Sequence, residues 1–399
     1  MPSLPAPASD ELQHSEKTAT LIIREIESAG GWISFSRFME LALYAPGLGY
    51  YSAGMHKFGA AGDFVTAPEI SVLFGRTLAR QAAQVLQLAA GNILEIGAGS
   101  GRLAFDLLTE LDKLGSLPER YLILEVSADL RERQRQLLQP FAPRVTWLDA
   151  LPATFSGLIL GNEVLDAMPV HLVAWHEDGI YERGVSCEDG AFRWSERKLT
   201  EGELFDAAAK LAPTPRSGRG QALTLPRNAG EGKESGMVSE IDLVARGFIA
   251  SLADMLEKGV ILMLDYGFGE SEYYHPQRNT GTLMCHTRHH AHDNPFYLPG
   301  LQDITAHVDF TAIATTGIAH GLNFLGYTSQ AHFLLNCGIT DLLAETPPEQ
   351  ASAYLPLSSQ AQKLLNPAEM GELFKVIALG KGIDAPLIGF ARGDKSRML

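Results

Sequence analysis

The sequence predicts an α/β protein with a doubly wound, Rossmann-like sheet, an N-terminal helical region and an inserted subdomain. Three observations predict it. Between Asn92 and Leu160 short apolar runs alternate with segments of helical period, the pattern of parallel strands covered by helices on both faces. The first of these runs ends in a glycine-rich turn, Gly97-Ala98-Gly99-Ser100-Gly101, that opens a helix. Near His171 the alternation gives way to hairpin-like segments, and it resumes at Val260-Ile261-Leu262-Met263-Leu264.

The elements follow in order. Residues 1 to about 15 are rich in Pro and Ala and read as loose. From near Glu11, Ala19, Ile22, Ile23 and Ile26 fall at i, i+3, i+4 and i+7, one face of a helix. Helical patterning continues from Ile33 to Tyr44. The Tyr44 to Tyr51 segment, with its Gly and Pro, reads as turns. Pro68 precedes a helix from Ile70 to about Leu88. Strands are expected at Ile93–Ile96, Tyr121–Leu124, Val145–Leu148 and Leu158–Leu160, with helices at Leu103–Leu114 and Ala128–Leu138. Right-handed crossovers make such a series doubly wound. Leu172–Trp175 and Ala191–Trp194 suggest antiparallel hairpins, and 211 to 236, rich in Pro, Gly, Ser and Arg, a flexible loop. A helix from Ser239 to Lys258 then leads to the fifth strand, Val260–Leu264. A further helix is expected from Ile304 to His320, a sixth strand at Leu322–Tyr327, helices over 329 to 365, and a closing antiparallel edge strand at Phe374–Leu379.

This reading divides the chain into a helical region and lid (1–90), a first core half (91–170), an inserted β-rich subdomain with its loop (171–236), a second core half (237–328), a helical insertion (329–365) and a closing strand with tail (366–399). The bulk numbers fit. At 399 residues and 46% hydrophobic, a sizeable core is expected. A net charge of -15 repels phosphate backbones, so nucleic acid is not an expected partner. The three cysteines are scattered, which suits a reducing compartment rather than a disulfide framework. No apolar run approaches the ~20 residues of a membrane span, and the start lacks a signal-peptide pattern. A cytoplasmic protein is the expectation, and the insertion offers a surface for a homodimer or partner.

The glycine turn carries the chemistry. Glycine lets backbone approach a ligand closely, and the helix start offers free N–H groups to an anionic group. The dinucleotide fingerprint Gly-x-Gly-x-x-Gly is not matched, because Arg102 stands where its third glycine would be. The order Gly97-x-Gly99-x-Gly101, with Glu95 two residues before, is typical of S-adenosylmethionine loops; dinucleotide binding and a structural turn are the alternatives. Glu95 suits the cationic amino-acid end of that cofactor. Glu125, after the second strand, suits its ribose hydroxyls, and otherwise reads as an acid at a helix start. Asp149, after the third, suits the adenine amino group, and otherwise reads as a surface aspartate. All lie at carboxyl ends of strands, where open α/β sheets bind ligands. Methyl transfer needs no metal. The crowded cluster Cys285, His286, His289, His290, His292 and Asp293 reads as a lid or plain loop before it reads as a zinc site.

Further motifs carry a family resemblance. They are Asn162-Glu163-Val164-Leu165-Asp166-Ala167-Met168-Pro169-Val170, Gly62-Asp63-Phe64-Val65-Thr66-Ala67-Pro68-Glu69-Ile70-Ser71, Asp265-Tyr266-Gly267 and Asp303-Ile304-Thr305-Ala306-His307-Val308-Asp309-Phe310. Together, from about Ile33 to Ala378, they resemble the MidA family of class I methyltransferases. Its mitochondrial members are complex I assembly factors that methylate an arginine of a core subunit. The resemblance implies the class I sheet, S-adenosylmethionine and a protein arginine acceptor; a small molecule or another protein residue as acceptor, and a cofactor-binding assembly chaperone, are the alternatives. Guanidinium is a poor nucleophile that stays protonated, and carboxylates can clamp it. Glu163 is then the main clamp and Asp166 its second, against a reading of both as helix-start caps. Asn162 is placed near the reacting end of the cofactor. Asp63 or Thr66 is expected to reach the cofactor from the N-terminal segment. Asp303 and Thr305 are expected to cap the following helix, and His307 and Asp309 to line the substrate channel, with His307 as a catalytic candidate.

Overall fold

The computed structural model describes residues 7–53, 66–89, 91–211, 236–288 and 290–399. Its centre is a sheet built from β1 (Asn92–Ile96), β2 (Arg120–Leu124), β3 (Val145–Leu148), β4 (Phe155–Asn162), β5 (Leu256–Phe268), β6 (Asn323–Ser329) and β7 (Phe374–Lys381). Their spatial order is β3-β2-β1-β4-β5-β7-β6. The first five are mutually parallel; β7 runs antiparallel to both β5 and β6. A short strand, Val308–Asp309, pairs with the far end of β5.

The apolar runs of the sequence are strands buried on both faces. Side chains alternate across a strand, so Ile93, Leu158, Leu160, Val260, Leu262 and Leu264 enter one core cluster with helices Val72–Leu88 and Arg102–Lys113. Leu94, Ile159, Ile261 and Met263 enter the other with helices Leu243–Met255 and Phe310–Ala319. Continuous hydrophobicity is what this two-sided burial requires.

The inserted part forms a second, antiparallel sheet from His171–His176, Gly179–Glu188, Ala191–Leu199 and Met237–Ile241. Ile33 and Ser34, far earlier in the chain, pair with Val185 and Gly184 of that sheet. Helices Ser9–Ser28 and Phe35–Tyr44 share a core with it through Ile22, Ile26, Phe35, Phe38, Leu172 and Val185. A third, three-stranded sheet joins Met284–Thr287, His290–His292 and Asp303–Thr305. Among the described residues no helix is long and apolar enough to cross a membrane.

Four expectations change. The helix drawn from Ser239 to Lys258 is the strand Met237–Ile241, the helix Leu243–Met255 and the start of β5. Asp242 caps that helix by accepting from the Ala245 N–H at 2.7 Å, so the inserted sheet runs on to Ile241. The helix drawn from Ile304 begins only at Phe310; Asp309 caps it, accepting from Thr311 and Ala312 N–H at 3.1 and 3.2 Å, while Asp303 and Thr305 lie in a strand. Ile33 and Ser34 are extended ahead of the helix. The closing strand is interior, and β6 takes the edge. Nearly all of the Pro/Gly/Ser/Arg stretch from 211 to 236 lies outside the described residues.

Candidate active site

Strand order reverses beside β1, since β2 lies on one side of it and β4 on the other. Open α/β sheets bind ligands at such a switch point. Ile96 pairs with Gly161, so the turns that follow β1 and β4 are neighbours. Between them opens a cavity of about 300 Å³, lined also by Tyr44, Tyr50, Tyr51, Thr66, Pro68, Phe248 and Asp303.

The loop after β1 has the conformation only glycine adopts freely. Gly97, Gly99 and Gly101 have φ of 64°, 54° and 84°. A Cβ at Gly97 would stand 3.3 Å from Val164. The Gly97 N–H donates to the Leu124 carbonyl at 2.9 Å, and Gly101 starts the helix Arg102–Lys113 just beyond the cavity lining. The loop's first three positions, with Ser100, line the cavity, and the Ser100 hydroxyl donates to Glu69.

Two acids stand beside this loop. Glu95 is buried and accepts from the Tyr121 hydroxyl at 2.7 Å; burial pushes its carboxyl up to about 7. Glu125 accepts from the Ser127 N–H at 3.0 Å and from Gln134 at 3.1 Å, and burial raises it too. Gln134 also donates to the Gly99 carbonyl at 2.8 Å and accepts from Trp147 at 2.8 Å. It therefore fixes Glu125 to the glycine loop. Nothing in the sequence marks it, because a glutamine in a charged helical stretch reads as surface.

The turn after β4 is built more tightly. Glu163, with φ of 53°, donates its N–H to Leu264 at 2.9 Å and lies beside Asn162, whose amide donates to its carboxylate at 3.1 Å. The Ala67 N–H, at the end of the Thr66 segment, also donates to Glu163. Burial and then the charge of Asp166 push the Glu163 carboxyl up to about 8. One oxygen of Asp265, on β5, accepts from the N–H groups of Val164, Leu165 and Asp166 at 3.1, 2.9 and 3.3 Å. The Tyr266 hydroxyl donates to Asp166 Oδ2 at 2.5 Å. Asn162 Oδ1 and Asp166 Oδ1 are buried without a hydrogen-bond partner among the described residues.

An aromatic wall closes the opposite side. Tyr44 and Tyr51 stack with centroids 5.4 Å apart, and Tyr50 meets Tyr51 edge-on. Tyr44 donates to the Ala167 carbonyl and Tyr51 to Asp303 Oδ1, both at 2.9 Å. The turn-rich run at 44 to 51 is thus a fixed wall, which its sequence did not signal. Six carboxylates line the cavity (Glu69, Glu95, Glu125, Glu163, Asp166 and Asp303), and among the described lining residues there is no Lys, Arg or His.

Of the expected site residues, Glu95, Gly97, Gly99, Glu125, Asn162, Glu163, Asp166 and Thr66 come together here. Asp149 does not. Its side chain is 91% exposed and pairs with Arg131 at 2.5 Å, because that arginine reaches over the end of β3 at the sheet's edge. His307 does not line the cavity either. Its ring stacks on Phe268 at 5.2 Å and meets Tyr266 edge-on at 5.0 Å, and burial holds it down at about 4. Asp309 serves the helix as its cap. Asp303 takes the place in the lining. Asp63 and His289 lie outside the described residues. Among the described residues no group of three or more His, Cys, Asp or Glu is arranged to hold a metal.

Comparison with known proteins bears on this site. Residues 77–328 match a family model described as S-adenosyl-L-methionine-dependent methyltransferase. A crystal structure of a protein from Burkholderia thailandensis, bound to S-adenosyl-homocysteine, is 50% identical, covers 100% of both chains and superposes with a TM-score of 0.91. A native crystal structure from the same organism, also 50% identical over 100% of both chains, gives 0.88. The protein arginine methyltransferase NDUFAF7 homologue of Drosophila melanogaster, a mitochondrial protein, is 28% identical over 90% of this chain and 86% of its own. That of Mus musculus is 29% identical over 90% and 83%.

Proposed function

The chain belongs to this S-adenosyl-L-methionine-dependent methyltransferase family, with MidA-like relatives, and from that premise we propose that it methylates an arginine of a protein substrate. The family resemblance implies a respiratory complex I subunit as that substrate.

The cavity residues fit the cofactor. A cradle that a Cβ at Gly97 would crowd, the orphaned Asn162 Oδ1 and the carboxylates Glu95 and Glu125 match a ligand with a carboxylate, an ammonium and ribose hydroxyls. In this reading the loop N–H groups take the carboxylate, Glu95 the ammonium side and Glu125 the ribose, with Asn162 near the reacting end. The bound cofactor supplies an electrophilic methyl on a sulfonium. Everything else is positioning.

The observation that carries the acceptor class is the carboxylate pair Glu163 and Asp166, which remains once Glu95 and Glu125 serve the cofactor, in a lining with no basic side chain among the described residues. Such a pair suits an acceptor that brings both positive charge and N–H donors. A guanidinium brings five donors in a planar fork. Glu163 and Asp166, on the turn beside the glycine loop, clamp it and aim one nitrogen. As that nitrogen gains the methyl it loses one N–H proton, which an ionised carboxylate of the pair accepts before passing it to water.

The test is label transfer. The protein is incubated with labelled cofactor and lysate from cells lacking it, and the labelled residue is identified. Label on arginine, abolished in Glu163→Gln while calorimetry shows unchanged cofactor affinity, is the expected outcome. Label on another residue type or on a small molecule, or full turnover in Glu163→Gln, overturns it.

A further inference from the structure

We propose that Tyr266 is a positioning residue that decides which of the two clamp carboxylates is the standing anion. Its hydroxyl, by donating to Asp166 Oδ2, fixes Asp166 as the charged member with Oδ1 as its open acceptor, and leaves Glu163 the protonated one. The inference rests on the arginine reading for its kinetic consequence, but not for the contact itself.

The geometry has three parts. A tyrosine hydroxyl can only donate to an ionised carboxylate, and such charge-assisted bonds are short and strong; this one is 2.5 Å. Asp166 lines the cavity and its Oδ1 has no hydrogen-bond partner among the described residues, so the bond leaves one acceptor oxygen rather than a bidentate fork. The ring that delivers the hydroxyl is itself held. His307 and Phe374 pack edge-on against it at 5.0 and 5.4 Å, and Phe268 stacks behind His307 at 5.2 Å. This gives His307 a place in the site at one remove, backing Tyr266.

Among the described residues the titratable groups around Asp166 are Glu163 on its own turn, Asp265 and Tyr266 on β5, and Tyr44, Tyr51 and Asp303 on the wall. None is a cation. The Tyr266 hydroxyl is therefore the main influence favouring the charged form of Asp166, with backbone N–H groups adding to it, against burial. Glu163 has only its Asn162 and Ala67 donors against burial and the Asp166 charge. The asymmetry between the two carboxylates follows.

Tyr266→Phe removes the hydroxyl and keeps the ring contacts. In the free enzyme, carboxyl carbon NMR of labelled aspartate follows the titration of Asp166, assigned through Asp166→Asn. The Asp166 midpoint is expected to rise by about one pH unit in Tyr266→Phe. With an arginine peptide, the acid limb of kcat/KM moves up by the same ~1 unit, and kcat/KM near that limb falls about tenfold with cofactor affinity unchanged. A purely structural tyrosine would lower activity at every pH alike and leave both limbs in place. An unmoved Asp166 midpoint in folded Tyr266→Phe overturns the inference whatever the acceptor is. Wild-type label on something other than arginine overturns the substrate assignment instead, and the titration still decides the Tyr266 contact.

Discussion

Glu163 carries the heaviest burden of any residue in the site. It is a non-glycine residue in the left-handed region, which costs about 1 kcal/mol or more, and it holds a buried carboxyl whose ordinary range has been pushed up to about 8. A protonated carboxyl cannot clamp a cation, so the cation must drive the proton off. Binding of an arginine peptide at pH 7 is accordingly expected to release close to one proton. Calorimetry in two buffers of different ionisation heat measures it, and Glu163→Gln should release none. Proton uptake, or equal release by the variant, would contradict this account of the clamp. At this scale much of the site was legible. Acids at strand ends and glycines at a strand-to-helix turn have fixed positions relative to a doubly wound sheet, which is why Glu95, Glu125 and Glu163 fell into the lining. Asp149 stands outside that lining for a local reason, an arginine one helix away that the sequence cannot place. His307 stands outside it because a strand replaces the first turns of the expected helix and sets its ring behind Tyr266.

The turn from Glu163 to Met168 is a short irregular element held from outside itself. Its three successive N–H groups converge on one oxygen of Asp265. A buried N–H left without an acceptor costs about 1–3 kcal/mol, so Asp265→Ala should loosen this turn selectively. Hydrogen exchange at Val164, Leu165 and Asp166 is the measurement, with faster exchange there and little change in β1 or β2. Retained protection would mean that packing alone holds the turn. Elements were legible in proportion to their burial. The core strands, apolar throughout because both faces are covered, were found within a few residues. The strand Met237–Ile241 was missed because one helix-like run of apolar residues spans it and the helix after it, and Asp242, the cap that separates them, reads as one more polar position. The interior place of β7 was missed because strand order depends on pairing partners far apart in the chain.

Over the whole molecule the buried acids set a pH dependence. Glu95, Asp242 and Glu163 are raised to about 7, 7 and 8 from ordinary values of 4.5, 3.8 and 4.5. From their ordinary values up to the raised values near 7 and 8, the folded state therefore binds protons that the unfolded chain has already lost. Stability is present below the ordinary carboxylate range and falls as pH rises through the raised values. The lowered groups act elsewhere. Glu196 and Glu345 matter only below their ordinary value of 4.5, and His307 below 6.5. The cofactor-free protein should melt at a lower temperature at pH 8.5 than at pH 6.5 by differential scanning fluorimetry, and saturating cofactor should narrow the gap by giving Glu95 a cationic neighbour. A melting point that rises over that interval would rule the buried acids out as its cause.

The bond from Tyr51 to Asp303 spans 252 residues of sequence, and Ile33 and Ser34 wait for Gly184 and Val185 to pair. During synthesis, then, the first part made is among the last to find its place. Helices Ser9–Ser28 and Phe35–Tyr44 leave the ribosome with Ile22, Ile26, Phe35 and Phe38 ready to be buried, long before the surfaces that bury them exist. The contacts that close the finished cavity are thus also the ones that leave apolar surface exposed, and prone to aggregation, while the chain is incomplete.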